Sequence, residues 1–242
     1  MSASDTARRY SQYLDCHLSN DTLKTEILEP MLSKVINTED FEKFADWATL
    51  TTAFDEEETA RQLRLLRRYV MAHIIIRDIN RHSDLAEVTH TITLFADFVI
   101  NIGLNFAYAY YQDMYGTPIG RHTHTPQQLT VIAMGKMGGY ALNVSSDTDL
   151  IFTYPESGDT NGKRECSNQE FFIKVGKKLI TLLNDITADG QVFRVDMRLR
   201  PDGDSGALVL NETALEHYLI TQGREWERYA WTKARVVTPY TN

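Results

Sequence analysis

Apolar residues recur at helical spacing through the first half of the chain. One such stripe consists of Leu63, Leu66, Val70 and Ile74. Asp55 stands ahead of this stripe with Glu58 three residues later, a pattern typical of a helix N-terminus. A second long helix is predicted from about Thr89 to Tyr115, because a glycine and a proline follow it. We therefore predict a helical N-terminal region over residues 1–118.

The pattern changes after residue 119. Short apolar runs rich in β-branched residues predict strands at LTVIAM (129–134), LIFTY (150–154) and QVFRVDMRL (191–199). Between the last two, an amphipathic helix is predicted, with a stripe made of Phe171, Val175, Leu179 and Leu182. Two more helices are predicted at NETALEHYLITQ (211–222) and REWERYAWTKAR (224–235). The expected fold class is α+β, with residues 119–242 forming a small mixed-sheet domain flanked by helices.

Composition and charge limit the classes of protein to which this chain can belong. Hydrophobic residues make up 43% of the 242, which is a globular composition, and the formal net charge of -8 disfavours a nucleic-acid partner. The two cysteines, Cys16 and Cys166, are far apart, as expected in a reducing cytosol. The apolar segment 92–111 contains Asp97, which is unfavourable in lipid, so we interpret it as a buried helix. We predict a cytoplasmic protein with no membrane partner and no nucleic-acid partner.

Five arginines lie within the first long helix: Arg61, Arg64, Arg67, Arg68 and Arg77. One interpretation is a solvated face with ion pairs to Glu57 and Glu58. The other is that the arginines face a phosphate site. The sequence leaves both open.

The stretch GKMGGYALNVSSDTDLIF (135–152) contains the strongest chemical signal. It lacks the serine or threonine that a P-loop needs after its lysine, and its glycines have the wrong spacing for a dinucleotide fingerprint. What remains is a strand that leads into a glycine turn containing Lys136. Such a turn exposes backbone N–H groups that bind phosphate, although a plain strand-to-helix turn has the same pattern.

Asp147 and Asp149 stand two residues apart at the start of a predicted strand. Side chains at this spacing lie on one face. Two carboxylates about 4 Å apart repel by roughly 4 kcal/mol at a moderate effective dielectric constant, so water or a cation must offset the repulsion. Because Leu150, Ile151 and Phe152 follow directly, the pair is expected to be held by a rigid element at the edge of the core.

A third acidic residue, Asp196, lies in the predicted strand at 191–199. Arg198 and Arg200 follow it at strand spacing and are expected on the same face. The three side chains are interpreted either as a structural salt bridge, or as a metal ligand beside two phosphate-binding arginines. Three aspartates suit Mg²⁺, which prefers oxygen ligands and shares substrate phosphates. Two such ions can hold both oxygens of an in-line displacement.

The glycine turn, the Asp147–Asp149 pair and Asp196 together resemble the DNA polymerase beta-like nucleotidyltransferase superfamily. Three stretches of sequence indicate a particular family within this superfamily: GKMGGYALNVSSDTDLIF, VDMRLRPDGDSGALV and GREWERYAWTKAR. They are similar to the bifunctional glutamine synthetase adenylyltransferase/adenylyl-removing enzymes. Their residues are more similar to the N-terminal, adenylyl-removing half of those enzymes. The resemblance covers roughly 129–237. It implies that 119–242 is a nucleotidyltransferase-like catalytic domain truncated on its C-terminal side.

The resemblance also implies an activity. Inorganic phosphate attacks the AMP group carried by a tyrosine of glutamine synthetase, and ADP forms. Two Mg²⁺ ions are expected on Asp147, Asp149 and Asp196, which are also the expected catalytic residues. The expected phosphate and nucleotide contacts are Gly138, Gly139, Ser146, Lys136, Arg198 and Arg200. Lys233 and Arg235 are either further phosphate contacts or surface charges.

The implied partners are glutamine synthetase, a nitrogen-signalling regulatory protein, adenine nucleotide and inorganic phosphate. Two alternatives remain open: the opposite reaction, adenylyl transfer from ATP to glutamine synthetase, and a catalytically idle module that binds a nucleotide or a regulator. The three aspartates argue against the idle module, because a degenerate site would be expected to lose at least one.

Overall fold

The computed structural model describes residues 2–19, 23, 25–47 and 55–238. The chain divides into two compact units that alternate along the sequence. The helical unit comprises Met1–Phe98, Tyr140–Ser145 and Ile186–Val192, and the sheet unit comprises Val99–Gly139, Ser146–Asp185 and Phe193–Asn242. The predicted α+β class is confirmed. The domain boundary at residue 118 stays a prediction.

The α-helices of the helical unit are α1 (Ala3–Arg8), α2 (Gln12–Ser19), α3 (Thr25–Leu28), α4 (Thr38–Trp47), α5 (Glu56–Ile79) and the first part of α6 (Leu85–Tyr115). Asp55 caps α5 as predicted, because its carboxylate accepts the N–H groups of Glu57 and Glu58 at 3.0 and 3.2 Å. The stripe predicted for α5 is confirmed, since Leu63, Leu66, Val70 and Ile74 are all buried.

The arginines of α5 are mostly tied to the protein itself. Arg61 pairs with Glu58, as the solvated-face interpretation predicts. Arg64 is 1% exposed and donates from Nε to the carbonyl oxygen of Gly190 at 2.8 Å. Arg68 donates to the carbonyl oxygen of Asp189 at 2.6 Å and to its carboxylate at 3.1 Å. Arg64 and Arg68 therefore anchor a loop inside the helical unit, a role that neither interpretation included.

Helix α6 begins four residues earlier than predicted and ends at Tyr115 as predicted. The earlier start follows from Asp84, whose carboxylate accepts the N–H of Glu87 at 2.8 Å. Among the described residues, this helix is the one long and apolar enough to cross a bilayer by length and composition. Half of its most apolar window is buried inside the fold, and a single helix of this kind is weak evidence for a membrane span.

The sheet unit contains a five-stranded mixed sheet and a two-stranded one. Its strands are β1 (Pro118–Gly120), β2 (Thr130–Ala133), β3 (Thr148–Tyr154), β4 (Gly158–Thr160), β5 (Val195–Asp196), β6 (Val209–Asn211) and β7 (Arg235–Val236). In the larger sheet the order is β5-β3-β2-β7, and β6 also pairs with β3. Strand β2 is antiparallel to β3 and β7, whereas β5 and β6 are parallel to β3. Strands β1 and β4 form the small antiparallel sheet.

Helices cover both faces of strand β3. Those of the sheet unit, besides the rest of α6, are α7 (Gly135–Gly138), α8 (Asn168–Asn184), α9 (Glu212–Thr221) and α10 (Glu225–Ala230). Phe152 lies against Gly176 of α8, where a Cβ would crowd the ring. On the other face, Ile151, Ile132 and Met134 form a buried cluster. It is covered by Leu199, which follows β5, by Ala230 at the end of α10, and by Trp231 and Ala234 after that helix. Strand β3 is thus buried on both faces, which explains its continuous apolar run.

The strand predicted at 191–199 is largely wrong, because only Val195–Asp196 is extended and paired. Residues 186–192 are instead held in the helical unit by Arg64 and Arg68. After Asp196 the backbone turns, with the N–H of Arg200 bonded to the carbonyl oxygen of Met197 at 3.2 Å. The strand alternation that placed Arg198 and Arg200 on the face of Asp196 therefore does not apply.

Candidate functional site

Asp149 and Asp196 lie side by side at one edge of the sheet. They are direct register partners in the parallel pair β3–β5, next to the pair Thr148 and Val195. Asp147 stands two residues before Asp149, directly ahead of β3, so it lies beside the register pair. The backbone alone therefore brings together the three acidic residues that the sequence analysis singled out.

Asp149 has a tightly packed, partly buried carboxylate. Gly135 has a φ of 54°, which favours glycine, and a Cβ at this position would overlap Oδ2 of Asp149. The N–H of Met134 donates to the backbone oxygen of Asp149 at 2.9 Å, which ties the glycine turn to the strand. Burial raises the pKa of Asp149, and the negative charges of Asp196 and Asp147 raise it further.

The two neighbouring aspartates are paired with arginines. Arg198 grips Asp196 through Nε and Nη2, at 2.9 and 2.5 Å from Oδ2, and its backbone N–H adds a bond of 2.8 Å. These bonds lower the pKa of Asp196. Asp147 forms an ion pair with Arg194, which precedes β5. Within the described part of the chain, Asp149 has no such ion pair, although the positive charges of Arg198 and Lys136 partly offset the negative charges around it.

The glycine turn is built differently from the prediction. Helix α7 follows the strand directly, and the N–H groups of Gly138 and Gly139 donate to Met134 and Gly135 at 2.9 and 3.2 Å. In this conformation neither amide is available to a phosphate. The first N–H groups of a helix have no partner within it, and here they belong to Gly135 and the two residues after it. The phosphate contact predicted for the turn fits those amides better.

Gly138 has a packing reason for being glycine. A Cβ there would overlap the carbonyl oxygen of Lys233, in the segment that follows α10. Gly139 is open by comparison, with the nearest atom 3.5 Å from an added Cβ. Lys233 therefore reaches the glycine turn with its backbone, and Arg235 donates from Nη2 to the carbonyl oxygen of Met137 at 3.3 Å.

The remaining predicted phosphate contacts differ in exposure. Lys136 lies on the surface, with Nζ 3.4 Å from the hydroxyl oxygen of Ser146. Arg198 has a side chain that is 71% exposed. Arg200 is only 11% exposed, donates to the carbonyl oxygen of Met197 at 2.8 Å, and lies 3.5 Å from Asp204. Lys136, Ser146 and Arg198 are open to a ligand, whereas Arg200 supports the turn.

The residues fit a divalent cation in type and in backbone placement. Carboxylate oxygens are the ligands that Mg²⁺ prefers, and a cation would offset the negative charges that surround Asp149. Among the described residues, however, no three acidic, histidine or cysteine side chains already converge on one point. Asp147 and Asp196 are turned toward their arginines and would have to rotate to share an ion with Asp149.

Two residues of this site were missed by the sequence analysis. Gly135 was seen only as part of a turn, although its contact with Asp149 requires a glycine. A glycine at the end of a strand and just before a lysine could have drawn attention to it. Arg194 gave no signal, because its partner Asp147 lies 47 residues away in the chain.

A mixed sheet with aspartates on two adjacent strands, next to a glycine turn that opens a helix, is the arrangement of a nucleotidyltransferase. Comparison with known families agrees. The family model for glutamate-ammonia ligase adenylyltransferase matches residues 7–242. Glutamate-ammonia ligase is another name for glutamine synthetase. The chain belongs to this family.

Curated relatives give the same result. The chain is 73% identical over 238 residues to the "Bifunctional glutamine synthetase adenylyltransferase/adenylyl-removing enzyme" of Neisseria meningitidis serogroup B, covering 98% of the chain and 27% of the relative. It is 53% identical to the Chromobacterium violaceum protein of the same name, over 95% of the chain and 25% of that protein. It is 50% identical to the Pseudomonas aeruginosa protein, over 78% of the chain and 20% of that protein. The chain thus spans about a quarter of the length of the two most similar of these relatives.

Proposed function

We propose that this chain contains the deadenylylating site of its family. The proposed reaction removes AMP from a modified tyrosine of glutamine synthetase: inorganic phosphate attacks the phosphorus, the tyrosine oxygen leaves, and ADP forms. The single observation that carries the proposal is the register pair Asp149 and Asp196, with Asp147 beside it. A phosphoryl-type displacement needs little covalent chemistry from the protein and depends on positioning and charge stabilisation.

The proposed ligands for Mg²⁺ are Asp147, Asp149 and Asp196. Bound Mg²⁺ would stabilise the negative charge on the phosphate oxygens in the transition state. The protein's own contribution is to hold Asp149 rigidly, through the contact with Gly135 and the bond from Met134. Arg198 lowers the pKa of Asp196, and Arg194 forms an ion pair with Asp147. Two ions are proposed because three carboxylates from two strands offer more oxygen donors than one ion uses beside a substrate.

Phosphate binding is proposed for the exposed cations and the glycine turn. Lys136 and Ser146 face each other across the turn, and Arg198 is exposed enough to exchange Asp196 for an incoming phosphate. An arginine can bind a phosphate through two parallel hydrogen bonds. Gly138 and Gly139 remain proposed neighbours of the nucleotide, through the local backbone rather than their own N–H groups. Arg200 is proposed only to support the turn that contains Arg198.

Two alternatives use the same residues. Adenylyl transfer from ATP to the tyrosine is the opposite direction at the same phosphorus, and the geometry alone does not distinguish it. A module that only binds nucleotide or a regulator would not need aspartates paired on two adjacent strands. A nitrogen-signalling regulatory protein is proposed as a further partner on family resemblance, and the cytoplasm as the location.

The test is incubation of the chain with adenylylated glutamine synthetase, Mg²⁺ and phosphate. We expect ADP to be released and Asp149→Asn to abolish its release. Asp159→Asn is the matched control, because Asp159 is a sheet-unit aspartate with a side chain that is 63% exposed. Release of AMP would replace phosphorolysis by hydrolysis. Incorporation of AMP from ATP into unmodified glutamine synthetase would favour the transfer direction, and no turnover in any assay would favour the idle module.

A further inference from the structure

Strands β3 and β6 end side by side, at the end of β3 opposite to Asp149. The two strands are parallel, and their last residues, Tyr154 and Asn211, are register partners. Asp149 lies five residues before Tyr154 along β3, so at about 3.3 Å per residue the two are roughly 16 Å apart. Helix α9 begins directly after β6, at Glu212. In open α/β sheets, ligands bind outside the carboxyl ends of parallel strands, where the following helices begin.

An open pocket of about 520 Å³ lies at these carboxyl ends, a volume within the range of small-molecule sites. Its walls come from the loop after β1, the connection between β3 and β4, and the start of α9, all within the sheet unit. The side chains with nitrogen or hydroxyl groups that line it are Arg121, His122, Ser157, Asn211, Thr213 and His217. Thr213 and His217 are four residues apart in α9, so they lie on one face of that helix.

Hydrogen bonds join the three walls of this pocket and leave its arginine accessible. The backbone N–H of Arg121 donates to the carbonyl oxygen of Ser157 at 2.9 Å. The side-chain amide of Asn211 donates to the hydroxyl oxygen of Ser157 at 2.9 Å and accepts the N–H of Ala214 at 2.7 Å. The guanidinium of Arg121 lies 4.0 Å from Asp159, and both side chains are more than 60% exposed, so this ion pair is weak. A ligand in the pocket can therefore compete for Arg121.

The carboxylate that lines the pocket, Glu156, is already bound by the protein. It accepts the N–H of His122, the N–H of Thr123 at 3.2 Å and the hydroxyl of Thr123 at 2.7 Å. The Thr123 hydroxyl, followed by the two N–H groups, lowers the pKa of Glu156, so it stays an anion that holds the loop. Within the described part of the chain, no three acidic, histidine or cysteine side chains could hold a metal ion, which disfavours a cation between His122 and His217. The groups left for a ligand are cationic or hydrogen-bond donors.

We propose that this pocket binds a small organic anion through a carboxylate or phosphate group. Arg121 can hold such a group through two parallel, charge-assisted hydrogen bonds. Thr213 and His217 line the same pocket from α9 and supply a hydroxyl and an imidazole. The pocket is larger than inorganic phosphate needs, so the anionic group is expected to belong to a metabolite. This pocket is separate from the proposed reaction, because it lies at the opposite end of β3 from Asp149.

The test is calorimetric titration of the chain, without Mg²⁺, with citrate and with glycerol phosphate. We expect at least one of these probes to bind and uncharged glycerol not to bind. Arg121→Gln and His217→Gln should each raise the Kd of the bound probe about tenfold, because each removes a donor to an anion. Tighter binding of citrate would identify a carboxylate ligand, and tighter binding of glycerol phosphate a phosphate ligand. Arg228→Gln is the matched control, because Arg228 is an exposed arginine of the sheet unit that does not line this pocket.

A second variant separates this pocket from the candidate site, which also has exposed cations. Arg198→Ala should leave the Kd of the probe within about twofold of its value in the unmodified chain. If Arg198→Ala raises the Kd and Arg121→Gln does not, the probe binds at the candidate site and the pocket is wrongly assigned. Binding of neither probe, or an unchanged Kd in both Arg121→Gln and His217→Gln, also overturns the proposal. Both side chains are exposed, so the two variants should unfold at the same temperature as the unmodified chain.

Discussion

Asp149 and Asp196 are register partners on adjacent parallel strands, yet their carboxylates have opposite electrostatic surroundings. Burial and two neighbouring negative charges raise the pKa of Asp149. The bidentate contact with Arg198 lowers the pKa of Asp196. Among the described residues, one carboxylate of this pair is therefore bound by an arginine, and the one beside it makes no ion pair. A cation bound there would relieve Asp149 first, and an anion would compete with Asp196 for Arg198.

The first prediction concerns metal binding. In Asp149→Asn the stabilisation by Mg²⁺ should disappear, and turnover should fall by more than about 100-fold, since even residues behind a metal ligand contribute 10–100-fold. Without metal, the variant should be at least as stable as the unmodified chain, because a partly buried like charge has been removed. Thermal unfolding with and without Mg²⁺ measures both effects, with Asp159→Asn as control. A full Mg²⁺ shift in Asp149→Asn would remove Asp149 from the ligands.

The second prediction is a pH dependence of stability without metal. The folded-state pKa of Asp149 lies above the ordinary value of about 3.9, so the folded state binds this proton more tightly than the unfolded state. Its contribution to stability is present below about pH 4 and is lost as the pH rises through the raised pKa. Asp196 behaves in the opposite way, since its contribution is lost as the pH falls through its lowered pKa.

Denaturant unfolding of the unmodified chain and of Asp149→Asn from pH 3.5 upward tests this sign. The free energy of unfolding of the unmodified chain, minus that of the variant, should decrease above about pH 4 and then level off. A difference that increases with pH would show that Asp149 is stabilised in its charged form, contrary to its surroundings in this structure.

The third prediction separates two arginines of one turn. Arg198→Ala should weaken the dependence of turnover on phosphate and slow turnover about 10²–10³-fold, as for a lost electrostatic donor. Arg198→Lys should recover part of this, since lysine is a point charge. Arg200→Ala should lower the free energy of unfolding while the phosphate KM stays unchanged, because Arg200 bonds to Met197 and Asp204. A phosphate titration of all three variants measures how turnover depends on phosphate. If Arg198→Ala and Arg200→Ala weaken that dependence equally, the distinction between the two arginines is contradicted.

The fourth prediction compares two adjacent glycines. Gly138→Ala should destabilise the chain by about 1–3 kcal/mol or more, because its Cβ would overlap the carbonyl oxygen of Lys233 and backbone must move. Gly139→Ala should be nearly neutral, since its φ of -86° suits alanine and its nearest neighbour is 3.5 Å away. Urea unfolding of the two variants compares their free energies of unfolding. Similar losses at both positions would mean that the turn differs from the conformation described.

The fifth prediction concerns helix α5. Arg64→Ala should cost about 1–3 kcal/mol of stability or more, because it removes a buried side chain together with its hydrogen bonds to the carbonyl oxygens of Ala60 and Gly190. Arg61→Ala should cost at most about 1 kcal/mol, because its pair with Glu58 is exposed. Chemical denaturation tests both variants. A larger loss at Arg61 would refute the assignment of the two arginines.

The sequence by itself determined the elements that local pattern controls. The stripes of α5 and α8, the cap at Asp55, the buried run of β3 and the spacing of Asp147 and Asp149 all follow from periods of 3.6 or 2 residues. These features depend on residues close together in the chain, so a short window contains all the information they need. The family motifs belong to the same kind of local signal.

Only the tertiary structure decided which charges are neutralised and where the sheet ends. Arg194 meets Asp147 across 47 residues, and Arg64 meets Gly190 across 126. The second of these contacts holds residues 186–192 in the helical unit, and the turn between Met197 and Arg200 ends β5 at Asp196. Local propensity still favours a longer strand there, and contacts made by distant residues override it. The pairing of Asp149 with Asp196, on which the proposed chemistry depends, is likewise set by strand register, which no single segment encodes.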